Sequence, residues 1–200
     1  MLAAQKITLK SKRLLLVLLG IAMLFLLLAF YFFLPVGHEW SHTFRPAALR
    51  LIQGISPYND QGYLGYYNSP WLLLPIIPFA LLPEQLGYAF FTLFGLLAFT
   101  FIAYRCKVKS WFVIPILLSY PVTFCLYRGQ VDWLVLLGIT LPPQFGLLLV
   151  LAKPQIGIGI AVYWLISAFR IVAQSNSVDR HIHRMVEGVF AIILIICQAQ

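Results

Sequence analysis

Charge is what this sequence has least of. Only 10% of its 200 residues are charged and just six are acidic, against roughly a quarter charged in a soluble domain. So few charges cannot cover a water-facing surface, which excludes an ordinary soluble globular protein. Cysteine is scarce as well. Cys106, Cys125 and Cys197 lie in or beside apolar stretches, follow no metal-ligand spacing and frame no external loop. They read as core residues rather than as a disulfide framework or a zinc site. There is no glycine-rich phosphate loop, no zinc-protease motif, no Ser-His-Asp constellation and no clean internal repeat of the kind transporters show. The net charge of +8 is not a nucleic-acid signal, because the basic residues form short clusters beside apolar runs, as membrane orientation requires.

What is abundant is hydrocarbon. The chain is 62% hydrophobic with a mean hydropathy of +0.90. The expected fold is all-α: one domain over 1–200, a polytopic transmembrane helical bundle of about seven spans, some short or broken. Leu14–Leu34 has no charge and follows Lys6, Lys10, Lys12 and Arg13. It reads as an uncleaved first helix with a cytoplasmic N-terminus. Leu86–Tyr104 and Trp111–Tyr127 are the next spans. Val131–Leu141, Phe145–Ala152, Ile156–Ala173 and a stretch from Met185 to Gln200 follow. The short pieces beside Pro142-Pro143 resemble broken helices lining a cavity. Trp71–Leu82 is too short to cross and holds Pro75 and Pro78, so it reads as interfacial or re-entrant. This arrangement puts ten basic residues inside and four outside. The last stretch ends abruptly, as expected of the N-terminal part of a longer protein.

The first outer loop, 35–70, interrupts this pattern. Phe44, Ala47, Ala48 and Leu51 share a face over Phe44–Ile52, as in a helix lying along the membrane interface. Gly54 stops it, and Ser56-Pro57-Tyr58-Asn59-Asp60 reads as a turn.

The outer ends collect Glu39, His42, Arg45, Asp60, Arg128, Asp132 and Lys153. Charges at membrane depth need partners and normally face a polar cavity. Arg128, Asp132 and Lys153 therefore read either as an ion pair locking helices or as a cationic pocket for a phosphate-bearing ligand. Glu39, beside Trp40, reads either as an acid capping the next helix or as a general base, kept ionised by helix amides and Arg45. Asp60 is the kind of residue that forms turns. His38 and His42 lack a third ligand at clear spacing, so no metal is expected. Tyr58, Tyr63, Tyr66 and Tyr67 are of the type that stacks on sugar faces.

These marks resemble the GT-C class of membrane glycosyltransferases, most closely glycosyltransferase family 87. They are Phe44-Arg45-Pro46-Ala47-Ala48, Gly54-Ile55-Ser56-Pro57-Tyr58, Tyr67-Asn68-Ser69-Pro70-Trp71, Gly129-Gln130-Val131-Asp132 and Lys153-Pro154-Gln155. The resemblance covers most of the chain, although family members are usually longer. It implies an inverting hexosyltransferase of the plasma membrane. The donor is a polyprenyl-phosphate sugar, the acceptor a hydroxyl at the outer face, and no cofactor is needed beyond that lipid-linked donor. Glu39 stands where the family carries its catalytic Asp. Arg45, Tyr58, Asp60, Arg128, Gln130, Asp132, Lys153 and Gln155 would bind substrate, with Arg128 and Lys153 on the departing phosphate. The competing expectation is a lipid or amphiphile carrier, or an accessory membrane protein without catalysis.

Overall fold

A computed structural model describes residues 2–58 and 65–174, and the side chains of 12–58 and 65–170. Asp60, Tyr63, Arg180, His181, His183, Arg184, Cys197 and the stretch from Met185 lie outside the described residues. Among the described residues every regular element is helical. The chain divides into two units, residues 1–133 and 134–200, and each is described by itself.

The first unit opens with α1, Leu2–Phe33. Its segment Lys12–Phe33 has a mean hydropathy of 2.9 and 0% of it is buried. Twenty-two such residues rise about 33 Å, enough for a hydrocarbon core of about 30 Å. No face of this helix is polar, so lipid is the solvent that suits it. The second long apolar helix is α4, Glu84–Arg105, with a mean hydropathy of 2.0 and 56% of it buried. It ends in a left-handed residue, Lys107, at φ 56°. The Lys107 and Val108 amides cap the Tyr104 and Ala103 carbonyls there. A non-glycine residue in this region costs about 1–2 kcal/mol.

Between α1 and α4 the chain makes only short pieces. A π-helical turn covers Trp40–Phe44. It is followed by α2, Arg45–Ile52, a 3-10 turn at Pro70–Leu73 and α3, Ile77–Ala80. The π turn has a local cause. Pro46 has no amide to continue an α-helical ladder, and the Arg45 amide reaches back five residues to the Trp40 carbonyl. The apolar face expected over Phe44–Ile52 exists, with Phe44, Ala47 and Ala48 buried. That face packs against α3 and the 3-10 turn.

Trp71–Leu82 turns back rather than crossing. The Gln85 side chain at the start of α4 donates from Nε2 to the Tyr31 and Leu34 carbonyls at the end of α1, each at 2.8 Å. The end of α1 and the start of α4 therefore share one level. Those carbonyls have no partner within α1 itself, so one amide group satisfies both.

The described residues hold fewer crossing helices than the seven spans expected, the last of which lies outside them. Two described helices are long and apolar enough to cross a membrane, or three if a bent pair is one span. That pair is α5, Ser110–Leu117, and α6, Tyr120–Arg128, expected as one straight helix and bent instead by 52°. Pro121 removes an amide and its ring would strike the Leu117 carbonyl, so the helix stops and Ser119 goes extended at ψ 148°. Thr123 Oγ1 then bonds the Ser119 carbonyl at 3.0 Å. Next come α7, Asp132–Ile139, and α8, Pro143–Val150, broken at Pro142-Pro143 as expected. At eight residues each rises about 12 Å, too short for a span. In the second unit Gly138 and Gly146 bring two backbones together where a methyl group would not fit. The unit continues with α9, Pro154–Gln174.

Because the end of α1 and the start of α4 share one level, cysteines placed at 38 and 84 should react with an impermeant maleimide from the same side of sealed vesicles. A cysteine at 107 should react only from the other. Opposite-side labelling of 38 and 84 would overturn the returning path.

Candidate functional site

The site is built on a close crossing of two backbones. A methyl group on Gly37 would sit 2.6 Å from the Arg128 carbonyl carbon and 2.8 Å from the Gly129 nitrogen. On the other side, Gly129 has φ +73°, and a methyl group there would meet Trp40 Cβ at 2.7 Å. Both glycines are thus dictated by space, and Gly129 also by its left-handed backbone.

Gly129 ends α6 in a Schellman arrangement. Its amide bonds the Leu126 carbonyl at 3.2 Å, and the Gln130 amide bonds the Cys125 carbonyl at 2.9 Å. From α4, the Tyr88 hydroxyl donates to the Leu126 and Tyr127 carbonyls at 2.9 and 2.7 Å. Trp40 is fully buried and packs on Phe91 at 5.0 Å, and Phe91 packs edge-on against Trp133 at 5.2 Å. Three parts of the chain are thereby held at one point: the loop after α1, the first turns of α4, and the α6–α7 turn.

Glu39 lies at that point. Its Oε1 accepts a hydrogen bond from Gln130 Nε2 at 2.8 Å, across 91 residues of sequence. Arg128 Nε stands 3.5 Å from the same oxygen, with the side chains 36% (Arg128) and 22% (Glu39) exposed. That separation is a charge contact and not a hydrogen bond, and Arg128 Nε is buried with no hydrogen-bond acceptor. The guanidinium also stands 5.5 Å from the Phe124 ring centroid. Oε2 of Glu39 carries no bond among the described residues. Glu39 is the N-cap residue of the helical turn that follows it and makes no side-chain capping bond there.

The cation expected beside Glu39 was Arg45, and here the structure differs. Arg45 Nη2 points to the Leu82 carbonyl at 3.5 Å, and its Nε is buried without an acceptor. Arg128 takes that place because the Gly37–Gly129 crossing brings the end of α6 to Glu39. An unmet buried N–H costs about 1–3 kcal/mol. Two arginines on this unit therefore hold unused donors, an arrangement an anion would relieve.

Gln130, expected to hold substrate, gives an amide hydrogen to the carboxylate. Tyr58 also differs. It is about half exposed, and its hydroxyl donates to the Asn68 carbonyl at 3.0 Å. Its ring lies 5.7 Å from buried Tyr66, which is edge-on to Phe44 and donates to the Ser69 carbonyl at 2.6 Å. Burial, with Tyr58 nearby, pushes the Tyr66 hydroxyl well above its ordinary range, so it stays a neutral donor. His38 and His42 stack at 4.5 Å, and His42 Nδ1 faces the His38 carbonyl at 3.0 Å. Asp132 opens α7, where the helix dipole favours an acid. Asp132 belongs to the first unit, and Lys153 and Gln155 belong to the second.

Sequence reasoning missed Gly37, Gln85 and Tyr88 as the supports of this site. The buried tyrosine had no polar neighbour in sequence to flag it. The pairing of Gly37 with Gly129 was beyond any local pattern. Compared with protein-family models, with curated proteins and with solved structures, the chain matches none of them.

The crossing generates a stability test. Gly37→Ala and Gly129→Ala should each lower stability by about 2 kcal/mol or more, through overpacking and, at 129, left-handed strain. Gly20→Ala meets nothing within 4 Å and should change stability by less than about 0.5 kcal/mol. Thermal midpoints of the detergent-purified proteins read this directly. A Gly37→Ala protein as stable as Gly20→Ala would remove the crossing as a constraint.

Proposed function

We propose that this chain is a membrane glycosyltransferase of the inverting kind. It takes a hexose from a polyprenyl-phosphate donor and places it on an acceptor hydroxyl. It works in the plasma membrane as a multi-pass protein with a cytoplasmic N-terminus, so Glu39 faces the outer side. The observation that carries the proposal is the state of Glu39. It is the first acid after the first apolar helix, one oxygen is fixed by Gln130, a cation stands beside it, and its second oxygen has no bond.

The chemistry follows from that geometry. Glu39 Oε2 takes the proton of the acceptor hydroxyl. The acceptor oxygen forms a bond to the anomeric carbon as the bond from that carbon to the phosphate oxygen breaks. Polyprenyl phosphate leaves with the bonding electrons, and the sugar carbon inverts. The Nη groups of Arg128 have no hydrogen-bond acceptor among the described residues and would meet the growing charge on the phosphate. Gln130 keeps Oε1 occupied, so Oε2 is the oxygen left to react. Arg45 supplies a second set of unused donors on the same unit. Asp60, Asp132, Lys153 and Gln155 stay in the proposal as sugar or phosphate contacts on the strength of the family resemblance alone.

The test uses the full chain in detergent with a panel of radiolabelled polyprenyl-phosphate hexoses and a membrane lipid extract as acceptor. Transfer is expected with one hexose. Glu39→Gln should slow it by roughly 10²-fold or more, the scale of a lost general base, while Glu39→Asp keeps measurable activity. Tight donor binding without transfer would favour a lipid carrier, for which the bent α5–α6 pair is the supporting feature. A Glu39→Gln protein as active as the parent would place the base elsewhere.

A further inference from the structure

Residues 70–82 are Pro-Trp-Leu-Leu-Leu-Pro-Ile-Ile-Pro-Phe-Ala-Leu-Leu, a stretch with no charged, amide or hydroxyl side chain. Its inner face belongs to the protein core: Leu72, Leu73, Ile76 and Ala80 are all 0% exposed. Its outer face is unpartnered and equally apolar. Leu74 is 60% and Leu81 63% exposed, and Pro78 between them is exposed too. Together Leu74, Pro78 and Leu81 make up the segment's exposed apolar stripe. A surface helix at a water interface keeps its polar residues on the outer face. This segment has none to put there.

Its backbone is also prepared for a dry environment. Seven amides between Leu72 and Leu82 donate to carbonyls three or four residues back, although the segment is not one regular helix. Pro70, Pro75 and Pro78 have no amide hydrogen to satisfy. Backbone at membrane depth is tolerated only when its polar groups are met internally. Most of the segment's amides meet that condition.

The position of its ends decides what covers it. The polypeptide enters from the loop after α1 and leaves into α4, the two long apolar helices of the unit. Gln85 fixes the start of α4 to the last carbonyls of α1. The stripe therefore adjoins, along the chain, the two helices most suited to lipid.

We infer that residues 70–82 are a re-entrant wedge whose Leu74–Pro78–Leu81 stripe is covered by lipid acyl chains of the leaflet at the C-terminal end of α1. It dips into the hydrocarbon and returns on the same side. The wedge displaces lipid beside the loop that carries Glu39, so the membrane is interrupted at the level of that carboxylate. The inference stands on packing and backbone satisfaction and does not depend on the catalytic proposal.

The test places single spin labels at Leu74→Cys and Leu81→Cys in the full chain. The protein is reconstituted in phosphatidylcholine–phosphatidylglycerol vesicles, with Cys106, Cys125 and Cys197 replaced by alanine. Gln53→Cys is the exposed loop control, and Phe101→Cys, exposed on α4, is the lipid control. Collision with oxygen and with a water-soluble nickel chelate is read by power saturation. Labels at 74 and 81 should match 101, with high oxygen collision and several-fold lower nickel collision than at 53. Nickel collision at 74 and 81 equal to that at 53 would overturn the wedge by placing it in water. Low collision with both reagents would overturn it equally, because a protein surface or a second copy would then cover the stripe. The parent protein gives an independent check. A phosphatidylcholine with a diazirine in its acyl chain should crosslink within 70–82. Crosslinks confined to α1 and α4 would contradict the wedge.

Discussion

The close passage of two glycine-bearing backbones is the constraint on which the first unit depends. Gly37 and Gly129 meet with no room for a methyl group on either. That contact brings the loop after α1 against the end of α6. Without it, Gln130 and Arg128 would have no reason to be near Glu39, which lies 91 residues from Gln130 in the chain. Tyr88 and Trp40 then fill the space around the crossing and bring in α4. One close approach thus organises helices that have little else in common, in a sequence where apolar side chains alone would pack in many ways.

The crossing also shapes the electrostatics. A partly exposed carboxylate and guanidinium, 22% and 36% exposed, attract each other only modestly. Here the carboxylate is bonded by a neutral amide, and the cation stays 3.5 Å away with its own donors unused. Such a pair is incomplete as a structural lock. As half of an arrangement that a phosphate and a hydroxyl would complete, it is economical, and this is the physical basis of the proposed transfer.

Much of this was legible in the residues, and the failures have definite causes. The helices α1 and α4 were readable because long charge-free runs have one outcome in a chain this apolar. The return of Trp71–Leu82 was readable from its length and prolines. The number of spans was not, because hydropathy counts apolar residues whether or not Pro121 bends the helix between them. Glu39, Arg128 and Gln130 could be picked out as polar groups at the ends of apolar runs. Which of them touch could not. Arg45 is six residues from Glu39 and looked like its partner, yet Arg128 is the one in place. Local spacing carries no information about a contact made by Gly37 against Gly129. The π turn at Trp40–Phe44 follows from the missing amide of Pro46, but only a known helix path shows which carbonyl Arg45 then reaches.

The central claim is that Glu39 and Gln130 are bonded across the crossing and are not merely near it. A double-mutant cycle measures this without any assumption about activity. Glu39→Ala, Gln130→Leu and the double variant would be compared in thermal or denaturant unfolding of the detergent-purified chain. The account predicts a coupling of about 1 kcal/mol or more, the scale of a hydrogen bond to a charged group. Additive effects, with a coupling near zero, would contradict it.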